Sequence, residues 1–168
     1  PYKELSGCGV GFKLIQAICK TKNIDFSEIG EYLVLLAVSI GADIVEVTGE
    51  NRVLAFYGMR VINQSPRGGL RALIERSRKT GELSISDVVF GIAPRINAAG
   101  RIEHGKIAVE ILIEQDFEKA KILAEVIEAH NTERKELDQN ITKEALLMVS
   151  ENKKSTVVYS PDWHKGVV

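Results

Sequence analysis

The sequence predicts a mainly helical piece of an α/β protein, and three observations carry that prediction. Apolar residues recur at helical spacing through most of the 168 residues. One segment, Phe117 to Val149, keeps that period for an unusual length. A single stretch, Thr156-Val-Val-Tyr159 within Ser155 to Ser160, reads as a strand.

Taken in order, Gly7-Cys8-Gly9-Val10-Gly11 opens a run from Phe12 to Cys19, apolar at positions 12, 14, 15, 17, 18 and 19. Asp25 or Ser27 caps the next helix, in which Leu33, Leu35, Leu36 and Val38 leave almost no polar face. Such a helix is buried. Thr48-Gly-Glu-Asn-Arg52 makes a turn and a helix start, continued by Val53, Leu54, Phe56, Tyr57, Met59, Val61 and Ile62. Gly68-Gly69 separates that helix from Leu70 to Arg78, and Ser84 to Asp87 offers N-caps for a short helix ending at Phe90. A short helix, Lys106 to Ile113, precedes the long one. The long helix is apolar at 117, 120, 123, 127, 137, 141, 145 and 148 around a polar middle, His130 to Glu136. That pattern suits a spacer between domains. Pro161-Asp162 ends the strand, and Trp163-His-Lys-Gly-Val-Val168 begins a further element.

Composition narrows the function classes. The chain is 45% hydrophobic with a net charge of -1 and a pI near 6.4, so its surface as a whole does not attract nucleic acid. A polyanion partner would be held by a local basic site. Cys8 and Cys19 match no zinc spacing and no disulfide framework, which points to a reducing cytoplasm. The longest apolar stretch, Tyr32 to Ile40, is too short to span a bilayer, so no membrane partner is expected. The chain begins at Pro1 without Met and stops at Val168 inside an apolar run, as a piece of a longer protein would.

The candidate binding segment is Pro94-Arg-Ile-Asn-Ala-Ala-Gly-Arg101. Pro94 and Gly100 argue for a loop, neither a good helix nor a good strand. Arg95, Asn97 and Arg101 carry planar donors of the kind that hold phosphate or carboxylate, and the small residues among them admit a ligand to the backbone. The competing reading is a structural clamp on Glu103 or Asp87; anion binding is favoured. His104 is close enough in sequence to join the site, although a lone histidine there is more often surface. Gly7, Gly9 and Gly11 before a helix resemble a phosphate-cradling turn, but a tight turn into a packed helix fits equally well. Asp43 follows the most apolar helix; spacing alone favours a helix-end carboxylate bonded to the backbone over a metal ligand. Trp163-His164-x-Gly166 reads as an aromatic anchor, and Arg134, Lys135, Lys143, Lys153 and Lys154 as a solvated face.

Taken together, these segments resemble the RecJ family of single-stranded-DNA exonucleases within the DHH phosphoesterases. Leu5 to Leu14, Ser39 to Arg52, Ser65 to Glu75, Phe90 to Ile102, Asn131 to Ile141 and Trp163 to Val168 occur in the family's order and cover essentially the whole chain. The resemblance implies the C-terminal part of a DHH domain over residues 1–114, a connecting helix over 115–152, and the first strand of a DHHA1 domain over 153–168. It implies hydrolysis of single-stranded DNA from the 5′ end in repair and recombination, with a two-metal Mn2+ or Mg2+ site, and single-strand binding protein as a further partner. Under it Asp43 aligns with a metal-ligand aspartate, which reverses the bland reading of that residue. Arg95, Asn97 and Arg101 become substrate-phosphate contacts, Gly7, Gly9 and Gly11 a turn near the active site, and His164 a residue facing nucleic acid. The Asp-x-Asp and Asp-His-His motifs that supply most metal ligands in the family are absent from this sequence, so the chain by itself is expected to be inactive. The long helix and the Gly49-Glu-Asn-Arg52 segment argue against the alternative of an oligoribonuclease or cyclic-dinucleotide phosphodiesterase. A non-enzymatic helical DNA-binding module is the remaining rival; aspartate-rich motifs upstream in the gene would exclude it.

Overall fold

Two apolar clusters share one helix, and that sharing organises the molecule. The computed structural model describes residues 2–102, 105–149 and 155–167, without the side chains of Arg101 and Ile102. In chain order it contains α1 (Gly7–Lys22), a 3-10 helix (Phe26–Tyr32), α2 (Leu33–Ala42), α3 (Gly49–Gln64) and α4 (Gly68–Ser77). There follow α5 (Ile85–Asp87), a π-helical turn (Val88–Ile92), α6 (Ala93–Ile102), α7 (Lys106–Ile113) and α8 (Phe117–Met148). Leu33, Leu36 and Ile40 of α2 pack with Phe12 and Cys19 of α1 and Leu54 of α3. Val34, Ala37 and Val38 turn to a second cluster built from α4, the π turn, α6, α7 and the first half of α8. A helix between two cores has no solvent face, which is why its sequence is apolar all round. Each of its fully buried branched side chains contributes on the order of 2 kcal/mol.

Polar caps fix the helix starts. The Ser6 hydroxyl accepts from the Gly9 N–H at 3.2 Å, and Asp116 accepts from the Glu118 and Lys119 amides at 2.9 and 3.0 Å. Asp25 caps the 3-10 helix rather than α2, which continues directly from Tyr32 without a side-chain cap. Gly68-Gly69 is not a separator either, because both residues lie inside α4. Their role is close approach: a Cβ on Gly69 would sit 1.6 Å from the Ile111 carbonyl oxygen, and one on Gly58 would sit 2.2 Å from that of Leu33.

The long helix is present, about 48 Å from end to end at the usual rise, and its two halves differ. Ala120, Ala124, Ile127 and Asn131 are buried against the body, whereas Leu146, Leu147 and Met148 are exposed. Its first half therefore belongs to the second core, and only the remainder extends as a spacer would. No strand forms among the described residues, including Thr156 to Tyr159. A lone β-prone segment has no ladder to join, and sequence pattern alone could not supply the partner. Lys153 and Lys154 lie outside the described residues. No helix of the described residues is long and apolar enough to cross a membrane.

Candidate nucleic-acid interface

The segment expected as a binding loop is helix α6. Pro94 falls in its first turn, where a missing N–H costs least, and Ala98 and Ala99 are strong helix formers. The strain expected of the proline is absorbed upstream. Pro94 has no proton for the Phe90 carbonyl one turn back, and there the chain widens into the π turn, in which the Ala93 N–H reaches the Val88 carbonyl. A capping box holds the entrance: Ser84 and Asp87 each accept from the other's backbone N–H.

Helical geometry then separates the planar donors that the sequence placed side by side. Residues two apart on a helix point to nearly opposite faces. Arg95 turns toward α4 and α8 with only 12% of its side chain exposed. Its guanidinium makes four hydrogen bonds: Nε and Nη2 to the two carboxylate oxygens of Glu128, Nη1 to the Gly91 carbonyl, and Nη2 to the Arg76 carbonyl at 2.9 Å. That is the forked pairing an arginine makes with a fixed carboxylate. The clamp weighed as an alternative exists, but on Glu128 rather than on Glu103 or Asp87. Most of the donors of Arg95 are committed, and this geometry does not favour the phosphate contact expected of it.

Asn97 is exposed on the other face, lining a cleft of roughly 270 Å³ with Gly41, Ala42, Ile44, Val89, Phe90, Ala93, Pro94 and Arg134. Among the described residues no acidic side chain lines that cleft. Asp43 stands beside it at the C-cap of α2; its backbone N–H donates to the Ser39 carbonyl, and its carboxylate accepts from the Ser39 hydroxyl at 3.0 Å. The next residue, Ile44, has φ of 52° and is 79% exposed. A β-branched residue in the left-handed region is a strained conformation, of a kind that concentrates at functional sites. The first turn of α1 comes within electrostatic reach of Asp43. Partial burial first, and the negative charge of Asp43 second, push the Cys8 thiol above its ordinary pKa. Both cysteines are free, Cys8 exposed and Cys19 buried.

The glycines of that turn are helical residues rather than a loop before a helix. Gly7 and Gly11 have open space where a Cβ would go, and Gly9 abuts Leu5 at 3.3 Å. His164 is held within its own turn, its Nδ1 accepting from the Gly166 N–H at 3.2 Å, while Trp163 donates to Glu144 on α8 at 2.8 Å. The side chain of Arg101, and all of Glu103 and His104, lie outside the described residues. Among the described residues, no three His, Cys, Asp or Glu side chains come together as a metal site. Asp43 offers a single carboxylate, and Mn2+ or Mg2+ requires several ligands. The described residues do not by themselves hold either ion.

The geometry gains its context from proteins of known kind. No family model matches the chain. It is 38% identical over 173 residues to the single-stranded-DNA-specific exonuclease RecJ of Bacillus subtilis, a match covering 100% of this chain and 21% of that protein. With the same-named protein of Escherichia coli it is 34% identical over 186 residues, covering 100% of the chain and 32% of the relative. The crystal structure of RecJ in complex with Mn2+ from Thermus thermophilus superposes with a TM-score of 0.89 at 32% identity, over 98% of this chain and 25% of that one. A second crystal structure, of exonuclease RecJ bound to manganese, gives 0.87 at 33%, over 99% and 42%. Along its whole length the chain is similar to RecJ exonucleases, as a fragment of one would be. It spans about a third or less of the length of these curated relatives.

Sequence reasoning about this chain missed Phe90, Ile44 and Arg134. Phe90 entered only as the end of a short helix, yet it is 78% exposed in the π turn at the rim of the cleft. Arg134 was grouped with a solvated face. In fact its Nε is buried without a hydrogen-bond partner, and it makes no ion pair among the described residues. The signal available was its register: Arg134 lies one turn after Asn131, a fully buried residue of the same helix.

Proposed function

We propose that the chain is part of a metal-dependent, 5′-to-3′ single-stranded-DNA exonuclease of DNA repair and recombination, and that it supplies the strand-binding wall rather than the complete cutting centre. The observation that carries this reading is the cleft beside Asp43, lined by Asn97 and Arg134 and by no acid among the described residues, in a chain aligned end to end with RecJ exonucleases. Asp43 serves as one metal ligand, its exposed carboxylate bonded only to a hydroxyl. The remaining ligands come from outside this chain, which is inactive alone. When bound, Mn2+ or Mg2+ supplies an activated water and neutralises charge on the scissile phosphate. Asn97 and Arg101 contact the strand's phosphates, and Arg95 holds their helix in place. The first turn of α1, with Gly7, Gly9 and Gly11, closes the site near Asp43, and His164 faces nucleic acid from the start of a following DHHA1 domain. Residues 1–114 correspond to the end of a DHH domain, joined by the helix over 115–152. The compartment is the cytoplasm, with single-strand binding protein as a further partner.

The test is nucleotide release from 5′-phosphorylated single strands in Mn2+. Full-length protein is expected to release mononucleotides, Asp43→Ala to abolish release, and the isolated 168-residue chain to release none. Undiminished turnover by full-length Asp43→Ala would remove Asp43 from the metal site. Turnover by the isolated chain that Asp43→Ala abolishes would show that the chain is not merely a binding wall.

A further inference from the structure

We propose that the cleft between Asp43-Ile44 and α6 is a nucleotide subsite that grips both parts of the unit: Phe90 stacks on a base while Arg134 holds the adjoining phosphate. The proposal rests on the strand-binding reading above and adds a recognition element to it, since phosphate contacts alone would not detect the base.

Three independent features meet at this cleft. Phe90 is a large apolar ring 78% exposed at its rim. A single-stranded base presents a flat apolar face, and aromatic side chains are the usual platforms for it. The ring is placed by a π turn, which projects one residue out of the regular helical succession. Arg134, from a different helix, lines the same cleft and brings a guanidinium whose Nε is buried and without a partner. A partly desolvated cation without a carboxylate is costly unless an anion arrives. Its sequence neighbours do not supply one: Asp138, one turn on, makes no ion pair with it among the described residues, and no acidic side chain lines the cleft. The strained Ile44 also lines the cleft, next in sequence to the proposed metal ligand. Cation, ring and carboxamide therefore face one space from α8, the π turn and α6. Phosphate, base and sugar-phosphate edge are the three chemistries that a nucleotide offers.

Binding by the full-length protein, in EDTA to prevent hydrolysis, separates the parts. The probes are a 5′-phosphorylated oligothymidylate and an abasic strand of the same length. Wild type is expected to prefer the base-bearing strand by about tenfold, a typical stacking contribution. Phe90→Leu should bind both strands equally, at the wild-type abasic affinity, with an unchanged melting temperature. Arg134→Gln should weaken both and lower the slope of log affinity against log salt by about one phosphate contact. Equal wild-type affinity for the two strands would overturn the proposal. So would a Phe90→Leu protein that loses both affinities alike, or one that melts earlier because its ring is covered by another part of the protein. Unchanged salt dependence in Arg134→Gln would remove the phosphate contact. Nucleotide release by the Asp43→Ala protein reports on the underlying exonuclease reading separately, so either idea can fail alone.

Discussion

On one face of α6, Arg95 is bonded to Glu128, Gly91 and Arg76; on the other, Asn97 shares a cleft with an arginine that pairs with no carboxylate among the described residues. The same short segment thus holds a residue most of whose donors are committed and one whose bonding is open. The difference teaches what each face is for. A fork clamped between α4 and α8 pins the helix to the second core. That pinning presents Asn97, and the Phe90 turn before it, at fixed positions to whatever enters the cleft. Binding groups gain affinity when their own scaffold is already ordered, so under the proposed strand-binding role the clamp would serve the open face without touching a ligand.

The largest effect expected breaks the clamped face. Arg95→Ala should destabilise the protein by about 3 kcal/mol, because it leaves Glu128 and two carbonyls partly buried without their donor. Urea denaturation measures this. The double variant with Glu128→Ala should cost clearly less than the sum of the two single changes, since the pair acts as one unit. Arg95→Lys should restore little, because an ammonium cannot bridge a carboxylate and two carbonyls in one plane. An Arg95→Ala protein as stable as wild type would show that this residue is free to serve phosphate after all.

How far the sequence anticipates this picture depends on the residue. The burial of α2, the start of α3 after Thr48 and the bounds of the long helix follow from local periodicity, and they are legible. The helical state of Ala93–Ile102 is not, because Pro94 and Gly100 signal a break, and the π turn that accommodates Pro94 leaves no pattern in the sequence. The division of labour between Arg95 and Asn97 follows from that one difference, since a loop could have aimed both at one ligand. The partner of Arg95 lies 33 residues away on α8, a distance over which spacing carries no information. Arg134 shows the converse: its charge is visible in the sequence, but the burial of its Nε without a hydrogen-bond partner among the described residues is a property of three-dimensional placement. The resemblance to the RecJ family covers the whole chain, as the alignments do, but it did not carry the helical conformation of Ala93–Ile102.

A smaller effect on the fold, with a larger one on binding, should mark the open face. Asn97 is an exposed helical residue, so Asn97→Ala is expected to shift stability by no more than about 0.5 kcal/mol. Affinity for single strands should fall several-fold while the salt slope stays unchanged, because a neutral carboxamide displaces no counterion. Titration of labelled strands at several salt concentrations checks both. Equal losses of stability and affinity would mean that the two faces are not distinct.

The smallest effect concerns the entrance to both faces. Hydrogen bonding by Lys79 first, then by the Ser84 backbone N–H and hydroxyl, holds the Asp87 carboxyl well below the ordinary carboxylate range. A lowered folded-state pKa contributes stability that is fully present above the unfolded value, near 3.9. It is lost as pH falls below that value toward the folded pKa. Wild type should therefore exceed Asp87→Asn in urea midpoint at neutral pH, and the two curves should converge in acid. The gap should be small, because the group faces solvent, where ion pairs are screened. High salt should shrink the Lys79 part of it and leave the part due to the capping bonds. A gap that vanishes completely in salt would assign the entrance of α6 to charge pairing alone, and a gap that widens below pH 4 would reverse the sign of the linkage.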